Sequence, residues 1–371
     1  MKVLIAGDYC PIGRINDKIN SGDYSSVFGR IRPIIKDADY SIVNFECSVA
    51  SFDDKPIEKQ GPNLKCSPKG VEALQWSGFK CVTLANNHFL DYGPSSVRKT
   101  LEVLDSYGID YVGGGMSIQD ASAILYKEIN GRKLAIINCC EHEFSIASDY
   151  GAGSNPLDPI KQYYAIIDAK KKADYVLVIV HGGHEHFQLP SIRMLDTYRF
   201  FVDAGADAVV NHHQHCFSGY EIWHEKPIFF GLGNFCFDND YNRKGLWTEG
   251  YCVEIDFTDK KPAFVLYPYN QCAQKPTIEL LESHAFKNRI DELNDIINDP
   301  AKLKEAVDRY YDLNSKHYAM IFEPLFNRIY LAARYRGWLP SLIGRKRKLA
   351  ARNFVRCESH RDVLFKLLDS Q

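Results

Sequence analysis

The 371-residue chain is 45% hydrophobic and 25% charged, with a formal net charge of -2. That is ordinary globular usage with ample apolar material for a core, so a disordered or fibrous chain is excluded, and the length allows one large α/β domain or two smaller ones. So balanced a charge carries no polyanion-binding signal, and nucleic acid is not an expected partner.

The chain opens on MKVLIAGDYC, whose apolar stretch ends at Gly7-Asp8. It is too short for the apolar region of a signal peptide or for a membrane span, and no later window is apolar enough to cross a bilayer. Eleven cysteines are scattered without a CxxC pair, so they read as reduced, buried thiols of a cytoplasmic protein. Short β-branched runs then alternate with helical patterns: KVLIAG, YSIVNF, CVTLAN, LAIINC, YVLVIVH, AVVN and IFFGLGN. Between them, Ser95 to Tyr107 and Ile192 to Ala204 show helical spacing. Residues 1–280 therefore read as a layered α/β domain.

After Ser283 the strand signals stop, and 281–371 reads as a C-terminal helical region interrupted at Asp299-Pro300. Tyr310, Tyr311, Phe322, Phe326, Tyr330 and Trp338 give it enough aromatic surface that it is expected to pack on the α/β domain. The run Arg345 to Lys348 reads as a solvated basic face. Its alternative is attachment to anionic lipid or a polyanionic polymer; beside Trp338 and Leu339 the run suits a membrane surface, which would place the protein at the periphery of the inner membrane.

The polar residues of the α/β region gather at strand ends. KVLIAG ends in Asp8, SIVNF in Glu46, CVTLA in Asn86-Asn87-His88, LVIV in His181, and AVV in His212, His213 and His215. In a layered sheet the carboxyl ends of the strands share one edge, so these distant residues are expected to converge on a common crevice. Carboxylates, an amide and several imidazoles together suit one or two divalent transition metal ions, Mn, Fe or Zn, better than Ca or Mg. A pair of such ions polarises phosphoryl groups and generates a hydroxide near neutral pH, and Glu46 is the candidate bridge between them.

In series, GDYCPIGR, NFE, TLANNHFLDYG, VIVHGGHEH, DAGADAVVNHHQH and PIFFGLGNF resemble the capsule-biosynthesis protein CapA family, also called the poly-γ-glutamate synthesis protein family. That family lies within the calcineurin-like metallophosphoesterase superfamily, and the resemblance covers about residues 1 to 257. It implies a layered αββα metallophosphoesterase fold with the helical region as an appendage. Position by position, it implies that Asp8 and His215 hold a first metal, that Asn87, His181 and His213 hold a second, and that Glu46 bridges them. His88 would sit near the substrate as proton donor or phosphate-binding group. Glu185 would hold a metal-bound histidine in its tautomer. Asn234, in the tight turn Gly231 to Phe235, would hydrogen-bond a ligand histidine or the substrate.

His184 and His186 read as surface residues, and His212 stands in the family's glycine place. Cys10 replaces a histidine of the wider superfamily, and it reads as a small buried residue rather than a thiolate ligand. The implied activity is hydrolysis of an anionic small molecule or polymer in capsule, poly-γ-glutamate or other cell-surface polymer metabolism. The alternative is a non-hydrolytic, metal-containing component of a capsular polymer synthesis or export machine.

Overall fold

Every residue from Val3 to Cys10 in the first strand, Lys2–Cys10, is buried, the pattern of a strand covered on both faces. One of its edges pairs in parallel with Tyr40–Phe45. The other pairs with Glu249–Asp256 along its first half and with Asn234–Phe237 along its second. The computed structural model describes all residues but Tyr241, Lys260, 323–327, 339–343 and 370–371. Cys81–Thr83 and Asp110–Val112 extend this sheet on one side, Ala263–Gln271 and Ile278–Leu280 on the other, giving eight strands. A second sheet of six strands has Tyr175–His181 at its middle, parallel to Arg132–Cys140 on one side and Ala208–His212 on the other.

Alternation along the strands decides which layer each side chain joins. Val3, Ile5 and Ile42 of the first sheet meet Ile136, Leu177, Ile179 and Val210 of the second in a core between the sheets. Their neighbours Leu4, Ala6 and Val43 face the helices outside the first sheet, and Val178, Val180 and Val209 face those outside the second. The result is the αββα sandwich that the sequence implied. Truncating a side chain of the central layer, such as Ile179→Ala, costs about 2–5 kcal/mol by opening a cavity between two sheets that cannot both collapse onto it.

The expected helices form at Gly93–Ser106, with Pro94 in its first turn, and at Ile192–Asp203, where the Ser191 hydroxyl accepts from the Met194 N–H. Beyond Leu280 the described chain is helical: Ser283–Ile297, Pro300–Phe322, Arg328–Tyr335, Arg345–Arg356 and Glu358–Asp369. The Asp299 carboxylate accepts from the N–H groups of Ala301 and Lys302 and so starts the second of these. Phe286 and Ile290 enter the layer between the sheets, Ile297, Leu303 and Val307 cover the outer face of the second sheet, and Tyr318, Phe354, Val363 and Leu364 form a small cluster of their own.

Tyr310 and Tyr311 pack as expected, but Trp338 is 72% exposed. Phe326, Leu339 and the Phe322 side chain lie outside the described residues. Arg345, Lys346, Arg347 and Lys348 are all exposed, with Arg345 paired to Glu58. Among the described residues no helix is long and apolar enough to cross a membrane. All eleven cysteines are free and buried.

Candidate metal centre

Strand register sets the level at which each polar end is delivered. Asp8 lies opposite Asn44 on one side and Asn234 on the other, with register shifts flanking it. In the second sheet His181 lies opposite His212. The bulge at Asp8 depends on Gly7, because a Cβ there would come within 1.9 Å of the Gly233 carbonyl oxygen. That same oxygen accepts from the Asp8 N–H at 3.1 Å. Bulges of this kind re-aim a side chain, and here Asp8 is turned into the crevice.

Two ligand groups form there and share one residue: Glu46 with His181 and His213, and Glu46 with Asp8 and His215. Glu46 Oε1 lies 3.5 Å from His181 Nε2 and 3.7 Å from His215 Nε2. Asn87 Oδ1 and His213 Nδ1 each lie 3.1 Å from His181 Nε2. Asp8 Oδ2 is 3.5 Å from His215 Nδ1. The supporting contacts come from two asparagines. Asn44 Nδ2 donates to Asp8 Oδ1 at 2.8 Å, and Asn234 Oδ1 accepts from His215 Nδ1 at 2.9 Å, which leaves His215 Nε2 free to face Glu46.

Glu46 is 0% exposed, and neither of its oxygens nor Asp8 Oδ2 has a hydrogen-bond partner among the described residues. An orphaned buried carboxylate is strongly unfavourable unless a cation shares its space. The donor set fits a pair of divalent ions. Crowding shows in the acidities as well. Burial, then the Asp8 charge, pushes Glu46 well above the usual carboxylate range. Burial would raise Asp8 too, but His212 and His215 outweigh it and hold Asp8 well below. Burial and the neighbouring His213 push His181 down, whereas Glu46 and Asp8 overcome burial at His215 and lift it to about 10.

His213 and His215 have φ of 92° and 55°. Left-handed backbone at non-glycine residues costs on the order of 1–3 kcal/mol each and is kept where the surroundings enforce it. Placed on this turn, alternate histidines reach different ligand groups. His212, from the position read as a glycine place, is also buried beside the centre: its Nδ1 is 3.4 Å from Asp8 Oδ1, and neither ring nitrogen has a hydrogen-bond partner among the described residues. Cys10 packs in the core outside the first sheet and belongs to neither ligand group.

His88 Nδ1 lies 2.6 Å from Asp91 Oδ2 and 3.1 Å from Lys59 Nζ, and Lys59 is 2.5 Å from Asp91. Burial, then Lys59, lowers the His88 pKa against the opposing pull of Asp91. Lys59 and Asp91 escaped the sequence reading, although Asp91 stands three residues after His88 in NHFLD, a spacing that brings side chains together on a helical turn.

Two expectations are corrected. Glu185 is exposed at the rim of the pocket and, among the described residues, makes no hydrogen bond to a histidine; the hydrogen bond to His215 is made by Asn234. His184 is not a surface residue. It is 4% exposed, with Tyr310 and Tyr311 packed on its ring at 5.1 and 5.3 Å between centroids. His186 is exposed, against Trp247.

The burial of His184 reports a feature invisible in the motifs, which is that the C-terminal helices wall the site. A pocket of about 350 Å3 is lined by Lys59, His88 and His213 from the α/β domain and by Tyr310, Tyr318 and His360 from the C-terminal helices. Polar contacts hold the wall in place. His142 Nδ1 meets Glu358 at 2.6 Å, Arg193 joins Glu141 at 2.7 Å and Asp362 at 3.0 Å, and Ser359 donates to Glu141 from both Oγ and N–H, at 2.5 and 3.1 Å.

Two ligand sets meeting on one buried carboxylate, at the strand ends of an αββα sandwich, define a candidate dinuclear metalloprotein. Residues 2–239 match the family described as bacterial capsule synthesis protein PGA_cap, and the chain belongs to that family. It is 33% identical over 301 residues to the capsule biosynthesis protein CapA of Bacillus anthracis, covering 78% of this chain and 72% of that protein. To the PGA biosynthesis protein CapA of Bacillus subtilis it is 32% identical over 236 residues, 62% of each chain. Among solved structures, one described as a novel phosphatase from Mycoplasma pneumoniae aligns with TM-score 0.47 at 14% identity, over 77% of this chain and 96% of that one. So distant a likeness says nothing of substrate.

Proposed function

We propose that the chain is a metal-dependent hydrolase that cleaves a phosphate ester or a related anionic bond in the metabolism of capsule, poly-γ-glutamate or another cell-surface polymer. The observation that carries this reading is the meeting of two ligand sets on Glu46, whose oxygens have no hydrogen-bond partner among the described residues, beside a pocket containing His88. Asp8, His215 and Glu46 would hold one ion, and Asn87, His181, His213 and Glu46 the other, with Mn, Fe or Zn suited to the mixture. When bound, a divalent pair supplies Lewis acidity towards anionic oxygens and a nucleophile at neutral pH.

The chain's own part is to orient and to move a proton. With Nδ1 committed to Asp91, His88 offers Nε2 to the reacting oxygen. Lys59 neutralises Asp91 and keeps the ring in place. The polymer context rests on the names of the relatives. The exposed run Arg345 to Lys348 would add weak, salt-sensitive attachment to anionic membrane, read by cosedimentation with phosphatidylserine vesicles.

The test is hydrolysis of a panel of phosphomonoesters, phosphodiesters and γ-glutamyl peptides by protein loaded with Mn, Fe or Zn. His88→Ala is expected to lower the rate on the order of 10²-fold or more while metal content stays near that of wild type. Glu46→Ala is expected to lose both. A metal-loaded wild type inert on the whole panel would favour the non-hydrolytic component, and activity surviving Glu46→Ala would move the active site elsewhere.

A further inference from the structure

We propose that Glu143, Cys357 and His360 form a third divalent-cation site, of the zinc type, where the C-terminal helices close the pocket. The site lies outside both ligand sets that meet on Glu46 and stands independently of the hydrolase reading.

Cys357 occupies the junction between the helices Arg345–Arg356 and Glu358–Asp369, and His360 lies in the first turn of the latter. Three positions apart, the two side chains share a face. Glu143 approaches them from the loop after the strand Arg132–Cys140. One ligand atom from each residue lies within 4.8 Å of the others. Glu143 is 8% exposed and Cys357 1%, yet Glu143 Oε2 has no hydrogen-bond partner among the described residues.

The ring of His360 is already set for a ligand's part. Its Nδ1 is 2.7 Å from the Tyr318 hydroxyl, and its Nε2 faces Glu143 Oε1 at 3.4 Å. An outer partner on one ring nitrogen that frees the other for a cation is the usual support of a metal-binding histidine. An ion pair between His360 and Glu143 accounts for Oε1, which also accepts from Asn353 at 3.3 Å. It leaves Oε2 unexplained. The thiol has a long contact, 3.6 Å, to Glu141 Oε2 and takes a hydrogen bond from the His360 backbone.

Thiolate, imidazole and carboxylate together select zinc or cobalt over the hard cations. Three protein ligands leave a fourth position open, and all three residues line the pocket, so that position faces the substrate space. Glu143 belongs to the α/β domain and the other two to the C-terminal helices, so an ion here also clamps the wall shut.

Cobalt(II) titration of the full-length protein tests this by the near-ultraviolet absorption that a cobalt–thiolate bond produces. Neither ligand set on Glu46 contains a cysteine, so the signal reports the third site even if the hydrolase reading fails. Wild type and Cys10→Ser are expected to show the band, and Cys357→Ser to lose it together with about one equivalent of bound metal. Absence of the band from wild type, or its persistence in Cys357→Ser, overturns the site. Should Cys357→Ser fail to fold, His360→Gln keeps the thiol and is expected to weaken cobalt binding by more than about tenfold. Titration of that variant indistinguishable from wild type overturns the proposal equally.

Discussion

Neither oxygen of Glu46 has a protein hydrogen-bond partner among the described residues, so its worth to the fold depends on what else binds there. Metal-loaded wild type is expected to melt well above the chelated protein, since binding at 1,000 times Kd adds about 4 kcal/mol. Glu46→Gln should gain little from metal and, when chelated, should match or exceed wild type, because the crowded carboxyl is gone. A variant much less stable than chelated wild type would mean that Glu46 supports the fold by itself. His212 makes a second residue-level test. Among the described residues its ring nitrogens have no hydrogen-bond partner, and Nδ1 lies 3.4 Å from Asp8 Oδ1, within reach of an ion held by Asp8. Elemental analysis of His212→Ala is expected to show loss of one ion with the other retained, whereas unchanged stoichiometry would reduce His212 to packing.

At the scale of elements, the strands and their polar ends were legible and the placement of the C-terminal helices was not. Apolar runs ending in Asp8, Glu46 and Asn87 belong to one sheet and those ending in His181 and His213 to the other; within each sheet the pattern carries its own geometry, because parallel strands must end on one edge. Helical periodicity after Ser283 says that a face is buried but not against what. Nothing near His142 in sequence marks Glu358 as its partner, 216 residues away. His184 was misjudged for the same reason, since the tyrosines covering it arrive from a distant helix. Arg193 joins the two parts through Glu141 and Asp362. Arg193→Ala leaves Glu141 buried beside fewer donors and is expected to destabilise by about 2–4 kcal/mol. Hydrogen exchange should then quicken in Glu358–Asp369 while Tyr175–His181 stays protected; equal loosening of both would argue against a separately docked wall.

Over the whole molecule, the eleven thiols are sequestered and unpaired, in keeping with the reading of scattered cysteines as core residues. Burial raises the thiol pKa at Cys139, Cys216 and Cys252 among others, so little reactive thiolate is presented. Alkylation of the native protein is expected to label almost none of them, and alkylation after denaturation without reductant to label all eleven. Protected pairs that open only on reduction would indicate passage through an oxidising compartment.

The wall also has a consequence in time. Every ligand meeting on Glu46 has been synthesised once His215 leaves the ribosome, whereas His360 follows roughly 140 residues later. At about 5–20 residues per second, that interval is about 7–30 s. During it the nascent α/β layers can fold and take up ions through a crevice with no wall, and the later docking of the helix Glu358–Asp369 narrows the route by which those ions could leave. Loading is thereby separated from retention by the order of the chain, and a protein stripped of metal after completion should reload more slowly than one supplied with metal during translation.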